Sequence, residues 1–317
     1  MSRKDEMLRV WTEHANTGYV PLFPIDYNFL KPKYIPERCE KGRGFDWFGV
    51  EWEEEKLCGF PMVVPGTQRL KDITRWREEI VFPDLTQLDW EACGAEETAS
   101  WDRENKISLI MLNQGCFERT HALMGVEDAL VAMMAEPEDY KDLVNAIADY
   151  KVEIVNIIGK YYKPDILMFQ DDYGTAQNLF LSVESWREFF KEPLARIVKA
   201  THDNGMVYEH HSCGYMEPLI DDLLEIGIDA LNPIQPCNNQ RAIKEKYQGR
   251  LTFVGGEDSQ GVMERPGVTE EEIRAELRRC YDLFAPGGGY ANFPITIKYD
   301  YVPIMIDEHM KMARSYA

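Results

Sequence analysis

Met206-Val207-Tyr208-Glu209-His210-His211-Ser212-Cys213-Gly214-Tyr215 is the stretch on which the fold of this 317-residue chain turns. Asn204-Gly205 before it is a helix stop, Met206-Val207 opens an apolar run, and Met216 to Ile226 after it reads as a helix. A short strand that ends in a polar, glycine-terminated loop and feeds a helix is the unit with which an α/β barrel presents chemistry at its strand tips. Side chains alternate along a strand, so Glu209, His211 and Cys213 share one face, with His210 and Ser212 on the other. An acid, an imidazole and a thiol are therefore expected together.

Outward from this stretch the same unit recurs. Ile107 to Leu112 is a strand ending in Asn113-Gln114-Gly115, and the longest of the helical segments after it runs from Glu136 to Tyr162. Ile166-Leu167-Met168-Phe169 is the next strand, tipped by Gln170-Asp171-Asp172-Tyr173-Gly174 ahead of a helix capped near Ser182. Asp229-Ala230-Leu231-Asn232-Pro233 and Leu251 to Asp258 repeat the scheme. Thr269-Glu270-Glu271-Glu272 is a capping box opening a helix to Phe284, Gly287-Gly288-Gly289 reads as a tight turn before Tyr290 to Phe293, and a last helix runs from about Val302 to Arg314.

Toward the N-terminus, Pro21 to Asp26 reads as a strand with Asp26 at its tip. Phe45 to Pro65 suggests a hairpin carrying Trp47 and Trp52, and Leu70 to Lys106 is helical and rich in charge. Strands and helices alternating at this spacing demand a parallel sheet. The fold expected is an α/β, (β/α)8 TIM-type barrel with an N-terminal extension. One domain spans 1–317, with the extension and first strand in 1–105 and the core βα units in 106–317. No G-x-G-x-x-G follows the first strand, which removes the main support for dinucleotide binding.

Composition narrows the function. A hydrophobic content of 44% supports a large core, and a formal charge of -20 with no basic block argues against nucleic acid and anionic membranes. The first residues lack the apolar core of a signal peptide, and no run approaches the ~18 apolar residues of a membrane span, so a cytoplasmic location is expected. Seven scattered cysteines, an odd number, suit thiols or metal ligands better than a disulfide framework.

The polar strand tips define the candidate site: Asp26, Gln170 with Asp171 and Asp172, Glu209 with His211 and Cys213, Asn232, Glu257 with Asp258, and Asn292 should converge on one cavity. Thiolate and imidazole are zinc ligands. Further donors are available in Glu209, Asp172, Glu257, Cys237 and Cys280, and spacing alone leaves the choice open. Asp171 and Asp172 should face opposite ways, so one enters the cavity. Asp172 is taken as that acid, with Glu209 or Glu257 as the neighbour that would raise its pKa.

With these residues in hand, the chain resembles the uroporphyrinogen decarboxylase superfamily, in its corrinoid-linked methyltransferase branch. The resemblance rests on Gln170-Asp171-Asp172-Tyr173-Gly174, His211-Ser212-Cys213-Gly214, Gly255-Gly256-Glu257-Asp258-Ser259-Gln260 and Ala285-Pro286-Gly287-Gly288-Gly289-Tyr290. It implies a (β/α)8 barrel. The porphyrinogen decarboxylases carry an R-Q-A-G-R-Y signature for substrate carboxylates, which is absent here. Methyltransferases of the superfamily that act on coenzyme M bind zinc through His-x-Cys, a downstream Glu and a Cys in the glycine-rich turn. His211 and Cys213 match the first two positions, but Gly288 and Gln235 stand about where the other two ligands would be.

That departure points away from thiol activation and toward ether cleavage. The resemblance then implies a methyltransferase that moves methyl from a methoxylated aromatic donor to the Co(I) corrinoid of a separate cobalamin-binding protein. The expected roles are catalytic for Asp172, Glu209 and His211, and metal-binding, with zinc, for His211, Cys213 and Glu257. Asp26, Trp47, Gln170, Tyr173, Asn232 and Asn292 are expected to bind substrate, with Trp47, Phe48 and Trp52 as wall or lid. A homodimer is an allowed assembly. The competing readings are a decarboxylase of a tetrapyrrole-like acid and a non-catalytic barrel.

Overall fold

The computed structural model describes residues 2–55, 59–294 and 299–315. Cys58 lies outside them. Helix Arg3–Thr12 opens the chain on a capping box in which Ser2 and Asp5 bond reciprocally. Strand β1 (Tyr27–Leu30) follows, and then β2 (Arg43–Phe45), β3 (Glu51–Glu54) and β4 (Pro61–Val63) form a small antiparallel sheet. The remaining strands are β5 (Ile107–Leu112), β6 (Ile166–Gln170), β7 (Val207–His211), β8 (Ala230–Asn232), β9 (Thr252–Val254) and β10 (Tyr290–Ala291).

β1 and β5 to β10 make one parallel sheet in chain order, so the described strands of the main sheet number seven where eight were expected. Past the end of β10, Asn292 pairs in parallel with Leu22, in the segment just before β1. The seven strands form an α/β fold compatible with a TIM-type barrel.

Alternation sorts each strand onto two covered faces, which is why these strands read as nearly continuous apolar runs. Ile107, Leu109, Ile166, Met168, Val207, Ala230, Val254 and Ala291 pack inward with Met7, Val10 and Trp11 of the first helix. Ile110, Leu112, Leu167, Phe169, Tyr208, Leu231, Phe253 and Tyr290 pack outward on Leu143, Ile147, Ile197, Leu223, Ile243 and Phe284 of the surrounding helices. Helix Pro137–Ile157 continues as a π-helical turn to Tyr162 and ends at Lys163 in the left-handed region. Helix Glu270–Phe284 starts from the expected Thr269/Glu272 capping box, and Ser182 caps Val183–Phe189. No described helix is long and apolar enough to cross a membrane.

The first strand differs from expectation. Pro21 to Asp26 is not a strand; β1 starts at Tyr27, paired with Ile107. The two prolines, Pro21 and Pro24, offer no N–H to a ladder, whereas Tyr27 to Leu30 can pair throughout. Asp26 therefore sits at the N-terminal end of the sheet, where it accepts bonds from Arg3, from the Tyr19 hydroxyl and from Leu22 N. It is a structural anchor far from the strand tips. The residue following the tip of β1 is instead Lys31.

Candidate functional site

The tips of β6 and β7 are laced together. Gln170 lies opposite His211 in the sheet register, Asp171 N donates to His211 O, and Cys213 N donates to Asp172 Oδ1 at 2.9 Å. Gly174 and Gly214 permit this approach: a Cβ on Gly174 would meet Cys213 O at 2.6 Å, and Gly214 holds a φ of +85°. Gln235 is a support for this loop, its Oε1 accepting from Gly214 N.

The two aspartates diverge as alternation requires. Asp171 turns away from the cavity to accept from Phe117 N, Glu118 N and the Tyr173 hydroxyl, fixing the start of helix Cys116–Met124. Burial lifts its pKa to about 6. Asp172 faces inward, and its carboxylate, an imidazole nitrogen of His211 and the Cys213 thiol lie within 4.8 Å of one another. His211 Nε2 is 3.7 Å from Cys213 Sγ. Burial pushes the His211 pKa down, while burial and the charges of Asp172 and Glu118 push the thiol well up.

These three residues open onto a cavity of about 1080 Å³. Its walls are mostly apolar, with Phe23, Phe29, Met111, Phe117, Met168, Phe180 and Phe293 from the main fold and Trp52, Phe60, Met62 and Val63 from the small sheet. Five expected residues meet at it: Trp52, Gln170, Asp172, His211 and Cys213.

The others do not line it. Glu209 lies on the same strand face as His211 but is covered, accepting from Trp11 Nε1 at 3.0 Å and Asn232 Nδ2 at 2.7 Å; burial raises its pKa to about 7. Asn232 gives its amide NH2 to Glu209 and, like Glu209, does not line the cavity. Glu257 accepts from Asn292 Nδ2, and burial lifts it to about 7 as well. It stands outside the Asp172, His211, Cys213 group. Tyr173 is fully buried, stacked on Phe117 and His210. Trp47 packs on Phe48 and Tyr150 behind the small sheet, so the expected aromatic wall comes from Trp52 and Phe60. The Gly287 to Gly289 turn precedes β10 at the other end of the sheet, against Ala15 and Asn16, and brings no residue to the cavity.

Several lining residues escaped the sequence reading. Glu118 lies one turn into the helix after β5; burial, then the charges of Asp172 and Asp171, hold its pKa well above the usual carboxylate range. It is the carboxyl group facing Asp172, in place of Glu209 or Glu257. Gln170 Nε2 donates to Glu118 Oε1 at 3.3 Å. Among the described residues, buried oxygens of Gln114, Glu118 and Gln170 have no hydrogen-bond partner. Gln114 was legible as part of the β5 tip; Glu118, in the first turn of helix Cys116–Met124, was not, because it reaches the cavity from a helix rather than from a strand tip. Lys31 and Arg38 also line the cavity; they belong to the segment where the strand was misplaced.

The donor set fits a zinc ion. Thiolate, imidazole and carboxylate are its ligand types, and three protein donors beside a cavity leave the fourth position open, as in catalytic zinc sites.

A model of the uroporphyrinogen decarboxylase (URO-D) family matches residues 49–297. The chain belongs to the uroporphyrinogen decarboxylase family. Among solved structures, this family member superposes on a methyltransferase from Methanosarcina mazei with a TM-score of 0.70 and 14% identity, covering 99% of this chain and 98% of the other. At that identity the likeness establishes the fold. Xylanase B from Clostridium stercorarium F9 overlaps at a TM-score of 0.40, with 12% identity over 66% of this chain and 74% of that one, too loosely to bear on function. No curated protein matches by sequence.

Proposed function

We propose that this chain is a methyltransferase that takes a methyl group from a methoxylated aromatic compound and delivers it to the reduced corrinoid of a separate protein. The observation that carries this reading is the Asp172, His211, Cys213 group at an apolar, aromatic-walled cavity. Family membership and the full-length likeness to a methyltransferase support it. A porphyrinogen-type decarboxylation is less well supported, because the cavity is mainly apolar and the Arg-rich signature is missing.

Asp172, His211 and Cys213 would hold zinc, with Asp172 taking the place expected for Glu257. Bound there, the ion would supply a Lewis acid for an ether oxygen. The protein does the rest. Phe117, Phe180, Trp52 and Phe60 offer faces to a flat ring and exclude water from it. The unpartnered oxygens of Gln114, Glu118 and Gln170 are placed to orient a donor group on that ring. Glu118, whose burial and acidic neighbours raise its pKa and so favour its protonated form, can in that form give a hydrogen bond to an oxygen that develops negative charge.

The test is methyl transfer from a methoxylated benzene, with and without a reduced corrinoid protein, in wild type and His211→Ala. Transfer that requires the corrinoid protein and falls by about 10²-fold or more in the variant supports the reading. Carbon dioxide release without any corrinoid, or transfer unaffected by the substitution, overturns it.

A further inference from the structure

We propose that Asn232 is a positioning residue for His211: held by Glu209, and through it by Trp11 of the first helix, its amide oxygen fixes the imidazole with the proton on Nδ1 and leaves the Nε2 lone pair free for an ion. This rests on the reading of Asp172, His211 and Cys213 as a metal centre.

β7 and β8 run parallel with His211 opposite Asn232, and Ser212 N donates to Asn232 O at 2.9 Å. Neighbours in register present their side chains on the same face, so Glu209, His211 and Asn232 share the inward side of the two strands. All three are buried, His211 at 6% exposure and the other two at 0%. The direction of their contacts follows from the donors available. An indole N–H can only donate, and Trp11 Nε1 donates to Glu209 Oε2 at 3.0 Å. Asn232 Nδ2 donates to Glu209 Oε1 at 2.7 Å. With both carboxylate oxygens accepting, the Asn232 amide is set with its NH2 toward Glu209 and its oxygen turned away.

Two polar atoms are then left over on this face. Asn232 Oδ1 and His211 Nδ1 are buried and, among the described residues, have no hydrogen-bond partner. An amide oxygen only accepts, whereas a ring nitrogen can carry the proton, so each supplies what the other lacks. A buried polar atom left unpaired is costly, which favours their pairing. Burial is the leading influence on His211 and lowers its pKa; the Asn232 side chain, as a hydrogen-bond partner, acts in the opposite sense. A neutral imidazole has one ring proton. On Nδ1 it leaves the lone pair on Nε2, the nitrogen that stands 3.7 Å from Cys213 Sγ. An acceptor behind the ring is the usual means of orienting a metal-binding imidazole. Here that acceptor is an amide, fixed in turn by an acid and by an indole 198 residues from that acid in sequence. The first helix, whose Met7, Val10 and Trp11 fill the inner core, thus also sets the orientation of a ring at the strand tips.

NMR of the metal-free protein with nitrogen-labelled histidines reads the tautomer directly. The pH is about 9, above the value of about 7 to which burial raises Glu209, and the His211 signals are assigned by their absence in His211→Ala. Wild type should carry the proton on Nδ1. Asn232→Leu, similar in size but without an acceptor, should shift the ring toward the Nε2–H form and weaken zinc binding at least about tenfold in competition with a chelator. Asn232→Asp, whose carboxylate also accepts, should restore the Nδ1–H form, and Trp11→Phe, which removes the indole donor, should move the tautomer as Asn232→Leu does but by less. A wild-type ring protonated on Nε2, or an Asn232→Leu protein that keeps both the Nδ1–H form and wild-type zinc affinity, overturns the proposal. The wild-type tautomer decides even where a variant fails to fold. An Nδ1–H ring that depends on Asn232, in a protein that binds no zinc, supports the positioning role and rejects only the metal reading.

Discussion

At Asp172 a carboxylate, an imidazole and a thiol meet because two neighbouring strands end in polar, glycine-containing turns that bond to each other. If these donors hold zinc, the purified protein should contain about one ion per chain. A His211→Ala, Cys213→Ala double variant should lose it, and Asp172→Asn should bind at least about tenfold more weakly, as read by competition with a chelator. Glu257→Gln should keep its zinc; loss of the ion there would restore Glu257 as the third ligand. Glu257 has a separate signature in stability. Burial raises its pKa from an ordinary 4.5 to about 7, so between those values the folded protein holds a proton that the unfolded chain has released. The stability from this group is full below about pH 4.5 and is lost as pH rises through 7, on the order of 3 kcal/mol over the whole shift. Denaturant titrations at pH 5 and pH 8 should therefore show a smaller loss with rising pH for Glu257→Gln than for wild type. Glu209, raised in the same direction, would leave a remainder in both proteins.

Among the elements, the small sheet and β1 decide what the cavity looks like. Phe60 is 45% exposed and lines it, whereas Trp47, half-buried behind the sheet, packs on Phe48 and Tyr150. Phe60→Ala is expected to raise KM for ring-bearing donors about three- to tenfold while shifting stability by less than about 1 kcal/mol. Trp47→Ala should do the reverse, losing about 2 kcal/mol with KM unchanged. Steady-state kinetics beside thermal melts separate the two, and a KM change confined to Trp47→Ala would return that residue to the cavity wall. The βα units from Ile107 onward were legible because strands, tips and caps are local patterns: Thr269 caps Glu270–Phe284 through bonds that span three residues. The Asp172, His211, Cys213 cluster was legible in part for the same reason, since its donors fall on strand tips. The first strand was not, because an apolar run containing two prolines imitates a strand without being able to pair as one. That slip exchanged Asp26 for Lys31 and so reversed the sign of the charge expected at the first tip. Glu118 and Arg38 stayed hidden because each reaches the cavity through tertiary packing, with no strand-tip pattern to announce it.

For the whole molecule the question is whether the small sheet and the main fold unfold as one. Glu37 and Asp46, from the segment that carries the sheet, meet Arg119 of helix Cys116–Met124 and Lys151 of helix Pro137–Ile157 in a fully buried cluster of two acids and two bases. Arg119 bridges the two acids with bonds of 2.6 Å, and its guanidinium also lies 4.4 Å from the centre of the Phe48 ring. Balanced as it is, such a cluster contributes little net stability, but removing one partner strands the rest in a low dielectric at a cost of about 3–5 kcal/mol. Arg119→Met leaves Glu37 with Lys151, and Asp46 with only the neutral donors Phe48 N, Val50 N and Trp52 Nε1. With the tryptophans fluorine-labelled so that the resonances of Trp47 and Trp52 are resolved from those of the other five, they report on the small sheet while far-ultraviolet dichroism is dominated by the helices of the main fold, and the two signals should follow one denaturant transition in wild type. In Arg119→Met the Trp47 and Trp52 transition should move to lower denaturant than the dichroism. Coincident transitions in the variant would mean that apolar packing alone fastens the small sheet to the main fold.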